Sequence, residues 1–190
     1  MTPEPRLPRA LVEAVDDWHT HCPGRRRAII NAPSLDEPLD ADLLWSAGIH
    51  PWEADKATPE MLDLLRRRVA EPQVVAVGEA GLDRVKGPSL VVQEEVFRAQ
   101  ARIADEAGKP LIIHAVRTIP EIIRLHKEMK PRVAWIIHGF RGGKEAARKL
   151  LARPGIYISL GSRYRADAEA VIPPDRLLRE SDTDCQGTGS

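Results

Sequence analysis

The chain has 190 residues with 28 basic and 28 acidic side chains, so its formal net charge is zero. This balance excludes the overall positive field that drives non-specific binding to nucleic acid, and the length suits one well-buried core without an internal linker. No apolar run approaches the roughly 20 residues of a membrane span, and the N-terminus is not typical of a signal peptide. Two cysteines, Cys22 and Cys185, without Cys-x-x-Cys spacing favour a reducing compartment. We expect a soluble, cytoplasmic protein with a tail over residues 1–12 and a single domain over residues 13–190.

The first part of the chain predicts strands whose polar residues gather at their ends. Residues 14–18 predict a short strand that leads into His19-Thr20-His21. Residues i and i+2 of an extended segment point the same way, so these two imidazoles can close on one ion. Further strands are predicted over residues 27–31 and 44–49, the second ending at His50. Thr58 and Pro59 then predict the start of a helix.

The pattern continues through the rest of the chain. The uninterrupted apolar run 74–77 predicts a parallel strand buried on both faces, which leads to Glu79. A helix follows from Ser89 to Gly108, and a strand over residues 111–113 runs into His114. The segment 118–121 has the spacing of a capping box and predicts another helix. Residues 134–137 predict the strand before His138, and helices near 144–152 and 166–170 alternate with strands over 156–160 and 176–181.

The alternation of eight strands with helices predicts an α/β fold, the (β/α)8 TIM barrel. The loops between the first three strands are too short for full helices, and only eight residues follow Asp182, so an eighth helix is not expected. Each apolar strand side chain left in water costs about 1.5–3 kcal/mol, so we expect a cover on this flank. One candidate is the segment 7–12, with Leu7, Leu11 and Val12 on one helical face. The alternative is a second subunit in a homodimer.

Several predicted strands lead to a histidine or a carboxylate, residue types that bind metals or transfer protons. Taken one at a time, each such histidine or carboxylate is compatible with a structural role. Taken together they match the donor inventory for two divalent ions with a bridging carboxylate. By contrast, His126 lies inside a predicted helix without a partner and is interpreted as a surface or boundary residue. The predicted metal ligands are His19, His21, Glu79, His114, His138 and Asp182.

These residues lie in motifs that resemble those of the TatD-like metal-dependent hydrolases, also called TatD-related deoxyribonucleases, and a compact branch of them in particular. The motifs are DDWHTHC, AGIHPW, VGEAGLD, KPLIIHA, WIIHGFRGG, GIYISLG and DRLLRESD, from about Asp17 to Asp182. The resemblance implies one ion held by His19, His21, Glu79 and Asp182 and another held by Glu79, His114 and His138. It also implies that His50 lies near the scissile phosphate and that Asp182 activates water.

The chain departs from the longer members of the family around the pocket. Where they have HCFSG this chain has HGFRG, with Arg141 in the fourth position. Where they have IIHSRDA it has IIHAVRT, with Arg117 in the sixth position, and Arg84-Val85 replaces a tyrosine pair. The predicted metal ligands are all present, whereas the residues around the pocket differ from those of the family. The resemblance therefore constrains the type of reaction more than the substrate. We expect Arg117, Arg141 and His50 to bind substrate.

The predicted function is divalent-metal-dependent hydrolysis of phosphodiester bonds, as a 3′-5′ deoxyribonuclease acting on DNA, without a membrane partner. Asp182, Glu79 and His50 are the predicted catalytic residues, and two ions (Mg²⁺, Mn²⁺ or Zn²⁺) are the predicted cofactors. One alternative is a binuclear hydrolase of an amide or lactone, because fold and metals do not name a substrate. The other is a non-catalytic barrel that acts as an interaction module, which the intact ligand set disfavours.

Overall fold

The computed structural model describes residues 4–183. Eight parallel strands form one sheet in chain order: β1 (Asp17–Thr20), β2 (Ala28–Asn31), β3 (Leu44–Ala47), β4 (Val74–Asp83), β5 (Leu111–Val116), β6 (Trp135–Ile137), β7 (Ile156–Leu160) and β8 (Leu177–Arg179). Beyond β8 the chain returns to β1, where the Asp182 N–H donates to the carbonyl of His19 at 3.0 Å and the His21 N–H donates to the carbonyl of Thr183 at 3.2 Å. These bonds join the last strand to the first, and the predicted TIM-barrel fold is confirmed.

Six α-helices occur in the described part of the chain: α1 (Arg9–Ala14), α2 (Pro59–Val69), α3 (Leu90–Ala107), α4 (Ile119–Met129), α5 (Lys144–Leu151) and α6 (Ala166–Glu169). Short 3-10 helices cover Pro51–Lys56 and Pro174–Arg176. No helix separates β1, β2 and β3, as their short connections predicted. The expected lack of an eighth helix concerns residues that lie mostly outside the described part of the chain, so it stays a prediction. The Thr58 hydroxyl accepts the Met61 N–H at the start of α2, and Gly108 ends α3 with a left-handed φ of 65°.

The start of α4 differs from its prediction. Thr118 precedes the helix as expected, but its hydroxyl makes no capping bond. It donates instead to the carbonyl of Leu82 in β4 at 3.0 Å. Thr118 is fully buried against the sheet, where a strand carbonyl without a donor would be costly. The predicted helix is therefore confirmed, while the predicted capping box is wrong.

The strands divide their apolar residues between two cores. One set, including Leu111, Ile113 and Trp135, packs against helix residues such as Phe97 and Leu125 outside the barrel. The alternate set packs in a separate cluster: Ile29, Ile112, Ile136, Tyr157 and Leu178. Successive strand residues point to opposite faces, so the second set faces the barrel axis. The interior is thus filled by side chains below the polar residues at the strand ends.

The N-terminal segment completes the inner core. Leu7 and Leu11 are buried in the same cluster as Tyr157, and the Leu7 N–H donates to the Tyr157 hydroxyl at 3.3 Å. Glu4 accepts the N–H of Gly155, directly before β7. The segment therefore covers the amino-terminal mouth of the barrel, whereas the prediction placed it on the outer flank.

Two details of that prediction are wrong. The helix begins at Arg9, so Leu7 lies outside it, and Val12 is 48% exposed. On β8, Leu177 packs against the outer core, and the other outward-facing neighbour of Leu178 is the charged and exposed Arg179, which pairs with Glu169. The flank therefore exposes less apolar surface than the sequence pattern indicated. A covering second subunit is not needed for these residues.

His126 corrects a further prediction. Its side chain is buried in α4, with the imidazole edge-to-face on Trp135 at a centroid distance of 5.0 Å. Burial lowers the pKa of His126 to about 4. The interpretation as a surface residue was wrong because helix α4 turns this position toward the sheet.

Two observations bear on the predicted compartment. Within residues 4–183, no helix is both long enough and apolar enough to cross a membrane. Cys22 is not a free thiol, so it does not support the expectation of a reducing compartment. The other cysteine of the expectation, Cys185, lies outside the described residues. A cytoplasmic location stays a prediction.

Candidate metal centre

The carboxyl end of the barrel collects the predicted ligands. His19 lies in β1, Glu79 in β4 and His114 in β5, while His138 directly follows β6. The remaining two, His21 and Asp182, come just after β1 and β8. Parallel strands all end on the same side of a barrel, so side chains far apart in sequence meet there. The structure brings all six together.

The first group of donor atoms surrounds one oxygen of Glu79. Glu79 Oε1 lies 3.3 Å from Nε2 of His19 and 3.3 Å from Nε2 of His21. The two imidazole nitrogens are 3.2 Å apart, and Asp182 Oδ1 lies 3.8 Å and 3.9 Å from them. Atoms that share one ion at about 2.0–2.2 Å stand roughly 3–3.6 Å from one another. This group has that spacing, with Asp182 slightly farther out.

The second group surrounds the other oxygen of the same carboxylate. Glu79 Oε2 lies 2.8 Å from His138 Nε2 and 3.5 Å from His114 Nδ1. His50 Nε2 is 3.7 Å away, so His50 belongs to this group by distance. The groups that could hold a cation include His19, His21 and Asp182 on one side and His50, Glu79 and His114 on the other. Glu79 is thus shared between two sets of imidazoles.

Burial and charge set the protonation of the centre. Burial by itself raises the pKa of Glu79, but His138, His114 and His19 outweigh it and hold that pKa well below its usual range. Burial lowers the pKa of His138, yet the carboxylates of Glu79 and Glu180 raise it well above the usual value. Burial lowers the pKa of His50 to about 4. His50 is therefore neutral near pH 7, with one ring nitrogen available as a lone-pair donor.

Glycines around Glu79 explain the local motif. Gly78 has φ 138°, and a Cβ at this position would come within 2.5 Å of the carbonyl oxygen of Ile112 in β5. A Cβ at Gly81 would overlap the carbonyl oxygen of His114. These residues let β4 approach β5 closely where Glu79 and His114 face each other. Asn31 Oδ1 accepts the Glu79 N–H at 3.2 Å and further holds the strand end in place.

A cleft of about 640 Å³ opens above the centre. Both predicted rim residues, Arg117 and Arg141, line it together with Trp52, which is 41% exposed. Neither guanidinium pairs with an acidic side chain within residues 4–183, whereas most arginines on the helices do. Two guanidinium groups without an acidic partner in the described part of the chain therefore lie beside the candidate metal ligands.

A family model described as TatD related DNase matches residues 28–185. The chain belongs to the TatD-related DNase family. The resemblance inferred from the motifs is thereby confirmed.

Individual relatives agree with this assignment. The metal-dependent hydrolase YabD of Bacillus subtilis, itself described as uncharacterized, is 36% identical over 152 residues, covering 74% of this chain and 59% of YabD. TatD of Erwinia tasmaniensis, named a 3′-5′ ssDNA/RNA exonuclease, is 33% identical over 153 residues, covering 74% of this chain and 58% of TatD. The chain thus spans less than two thirds of the length of these curated relatives.

A solved structure shows the same fold. The crystal structure of YjjV, a TatD homolog from Escherichia coli k12, superimposes with a TM-score of 0.76 at 22% identity, covering 90% of this chain and 80% of that chain. At this identity the likeness concerns the barrel alone. It agrees with the strand order described above.

Two acidic residues at the centre of this TatD-family chain were not predicted. Asp83 Oδ2 lies 3.1 Å from His114 Nε2. Glu180 Oε1 lies 3.4 Å from His138 Nδ1 and accepts the Gly139 N–H at 2.6 Å. Both stand within the motifs VGEAGLD and DRLLRESD, close to the chosen carboxylates. An acidic residue at the end of a predicted strand was the signal that identified Glu79 and Asp182. The same signal would have identified Asp83 and Glu180.

Proposed function

We propose that the chain is a metal-dependent hydrolase that cleaves phosphodiester bonds, acting as a 3′-5′ deoxyribonuclease. The proposal rests on the position of the Glu79 carboxylate, whose two oxygens face two different sets of imidazoles. Oε1 faces His19 and His21, and Oε2 faces His138 and His114. A carboxylate shared in this way is placed to act as the bridging ligand of a two-ion site.

The donor set fits two divalent cations. Nε2 of His19 and Nε2 of His21 face each other at 3.2 Å, an arrangement that needs a proton or a cation between the nitrogens. His19, His21, Glu79 and Asp182 would hold one ion, and Glu79, His114 and His138 the other. When bound, two such ions activate a water molecule and stabilise the charge that develops on a phosphate. The imidazoles of the set suit Zn²⁺, and its carboxylates also suit Mn²⁺ or Mg²⁺.

Asp182 is the proposed proton acceptor. Its side chain is 32% exposed and lines the cleft, while Oδ1 stands beside His19 and His21. A carboxylate between the ligand set and open solvent can take a proton from an attacking water. Glu79, at 5% exposure, lacks that access and serves as a ligand. His50, neutral and at the edge of the second group, is proposed to orient the substrate.

The arginines at the mouth favour a polyanionic substrate. Arg117 and Arg141 line the main cleft, and Arg141 also borders a neighbouring cleft of about 210 Å³. Arg163, which was not predicted, lies on that second cleft. Guanidinium groups without carboxylate partners bind phosphate oxygens, and two adjacent clefts suit successive phosphates of one strand. The Lys86 ammonium, 3.4 Å from the centroid of the exposed Trp52 ring, adds a further cation near the main cleft.

The test is an activity panel on the purified chain with Mg²⁺, Mn²⁺ or Zn²⁺. The substrates are single-stranded DNA labelled at either end, double-stranded DNA, RNA, a generic phosphodiester, and an amide or lactone. We expect shortening of single-stranded DNA from its 3′ end. The double variant Arg117→Gln/Arg141→Gln should weaken DNA cleavage more than cleavage of the small phosphodiester, because it removes contacts to the rest of the strand.

Two outcomes would favour the alternative functions. Hydrolysis of the amide or lactone without DNA cleavage would favour a binuclear hydrolase of small molecules. Two bound ions with no hydrolysis of any substrate would favour a non-catalytic barrel. The intact set of candidate metal ligands disfavours the non-catalytic barrel.

A further inference from the structure

His114 is held from the side opposite to Glu79. Its Nδ1 faces Glu79 Oε2 at 3.5 Å, and its Nε2 lies 3.1 Å from Asp83 Oδ2. Asp83 is 4% exposed and His114 is about one sixth exposed, so solvent competes little for this contact. A carboxylate at hydrogen-bond distance accepts the Nε2–H of the ring, which leaves the lone pair on Nδ1.

His138 is oriented the other way round. Its Nε2 faces Glu79 Oε2 at 2.8 Å, while Nδ1 faces Glu180 Oε1 at 3.4 Å. Two histidines of the same group therefore present different ring nitrogens to the same oxygen. The choice of nitrogen follows from where the second carboxylate lies, and the sequence spacing carries no sign of it.

Asp83 is itself held by the rim of the cleft. The Trp52 Nε1–H donates to Asp83 Oδ2 at 2.8 Å, the oxygen that faces His114. Asp83 Oδ1 accepts the N–H groups of Val85 and Lys86 at 2.8 Å and 3.0 Å. The Lys86 ammonium lies 3.4 Å from the centroid of the Trp52 ring. The Asp83 carboxylate thus contacts the exposed Trp52, the loop after β4 and the imidazole of His114, a predicted metal ligand.

We propose that Asp83 is a positioning residue that fixes His114 with Nδ1 toward the cation, and that Trp52 in turn holds Asp83. The inference rests on the two-ion site of the proposed function, but not on the identity of the substrate. Outer carboxylates of this kind orient metal-binding imidazoles and raise their basicity. Trp52 would then connect contacts in the substrate cleft to the geometry of the second cation.

The first test identifies the coordinating nitrogen. The full chain, labelled with ¹⁵N-histidine and loaded with Zn²⁺, is examined by NMR, and the His114 signals are assigned by their loss in His114→Asn. We expect Nδ1 of His114 to carry the shift of a zinc-bound nitrogen while Nε2 stays protonated. Zinc coordination through Nε2 of His114 would overturn the proposal.

The second test measures Zn²⁺ affinity for both ions by titration. Asp83→Asn keeps an oxygen that can accept from Val85 and Lys86 but removes the charge beside His114. We expect one of the two ions to bind about 10–100-fold more weakly, with the other unchanged. Trp52→Phe, which keeps an aromatic ring without the N–H, should weaken the same ion by less than about tenfold.

The matched control is Asp63→Asn on α2, an exposed carboxylate that pairs with Arg66. It should bind both ions like the parent chain. If Asp83→Asn does not fold, Trp52→Phe and the NMR of the parent chain decide. Unchanged affinity in both Asp83→Asn and Trp52→Phe would overturn the inference. A chain that shows the expected zinc binding but cleaves no DNA would instead refute the proposed function alone.

Discussion

The two mouths of the barrel are made by the same eight strands and have opposite chemistry. At the amino-terminal mouth, Leu7 and Leu11 pack on Tyr157 and close the interior with apolar surface. At the carboxyl-terminal mouth, five imidazoles surround Glu79 and arginines line an open cleft. Changes at the first mouth should therefore alter stability, and changes at the second should alter metal binding and catalysis. The predictions below test that division.

The largest effect is expected for Glu79→Ala. Loss of the carboxylate shared by both groups should abolish hydrolysis and lower the metal content from about two ions to one or fewer. Elemental analysis and the DNA assay measure the two quantities. Glu95→Ala, on the exposed face of α3, is the control and should retain both. A Glu79→Ala protein with two bound ions would contradict the bridging role.

Asp182→Asn should separate catalysis from metal binding at the same mouth. The amide can still ligate through oxygen but cannot accept a proton, so we expect activity to fall by at least roughly 10²-fold with most of the metal retained. Rates and metal content are measured on the same preparation. A loss of less than about tenfold would assign proton transfer to another group.

At the amino-terminal mouth, Leu11→Ala should reduce stability without changing metal content. Leu11 is 8% exposed, and truncation of a buried leucine costs about 2–5 kcal/mol, a shift of several degrees in Tm. The neighbouring Val12→Ala is the matched control, because Val12 is 48% exposed and should change stability by less than about 0.5 kcal/mol. Deleting residues 1–12 should have the larger effect of exposing the apolar mouth and causing association. Equal Tm values for the two alanine variants would show that Leu11 does not contribute to the core.

The smallest effect concerns His126, a histidine that lies outside the metal centre. Its folded-state pKa is about 4, below the usual 6.5, so the unfolded chain binds the proton more readily. The contribution of His126 to the free energy of unfolding should therefore be constant above about pH 6.5 and fall as the pH decreases from there toward 4. His126→Phe keeps a ring against Trp135 and should show a flatter dependence of Tm over this range. An unchanged slope would mean that other groups dominate the acid sensitivity.

Much of the molecule was predictable because its signals are local. The apolar run of β4 and the capping residues of α2 and α3 are each a pattern within a few residues, and the strands from β2 onward and the later helices occur close to where such patterns indicated. The first strand was misplaced, because it was predicted over residues 14–18, whereas Ala14 ends α1 and β1 covers Asp17–Thr20. The six metal-type residues stood out for the same reason, since each closely follows an apolar run. In a parallel barrel that placement alone brings them to one end.

What the sequence by itself determined was therefore the fold, the family and the end of the barrel at which polar residues gather. Only the tertiary structure decided which oxygen of Glu79 faces which imidazole, that Asp83 stands behind His114, and that His126 is buried. It also placed Leu7 at the amino-terminal mouth. These features depend on contacts between residues tens of positions apart, whose side-chain directions follow from how strands stagger and helices pack. Composition and spacing specify where an element begins and ends, but they do not specify which distant side chain it will meet.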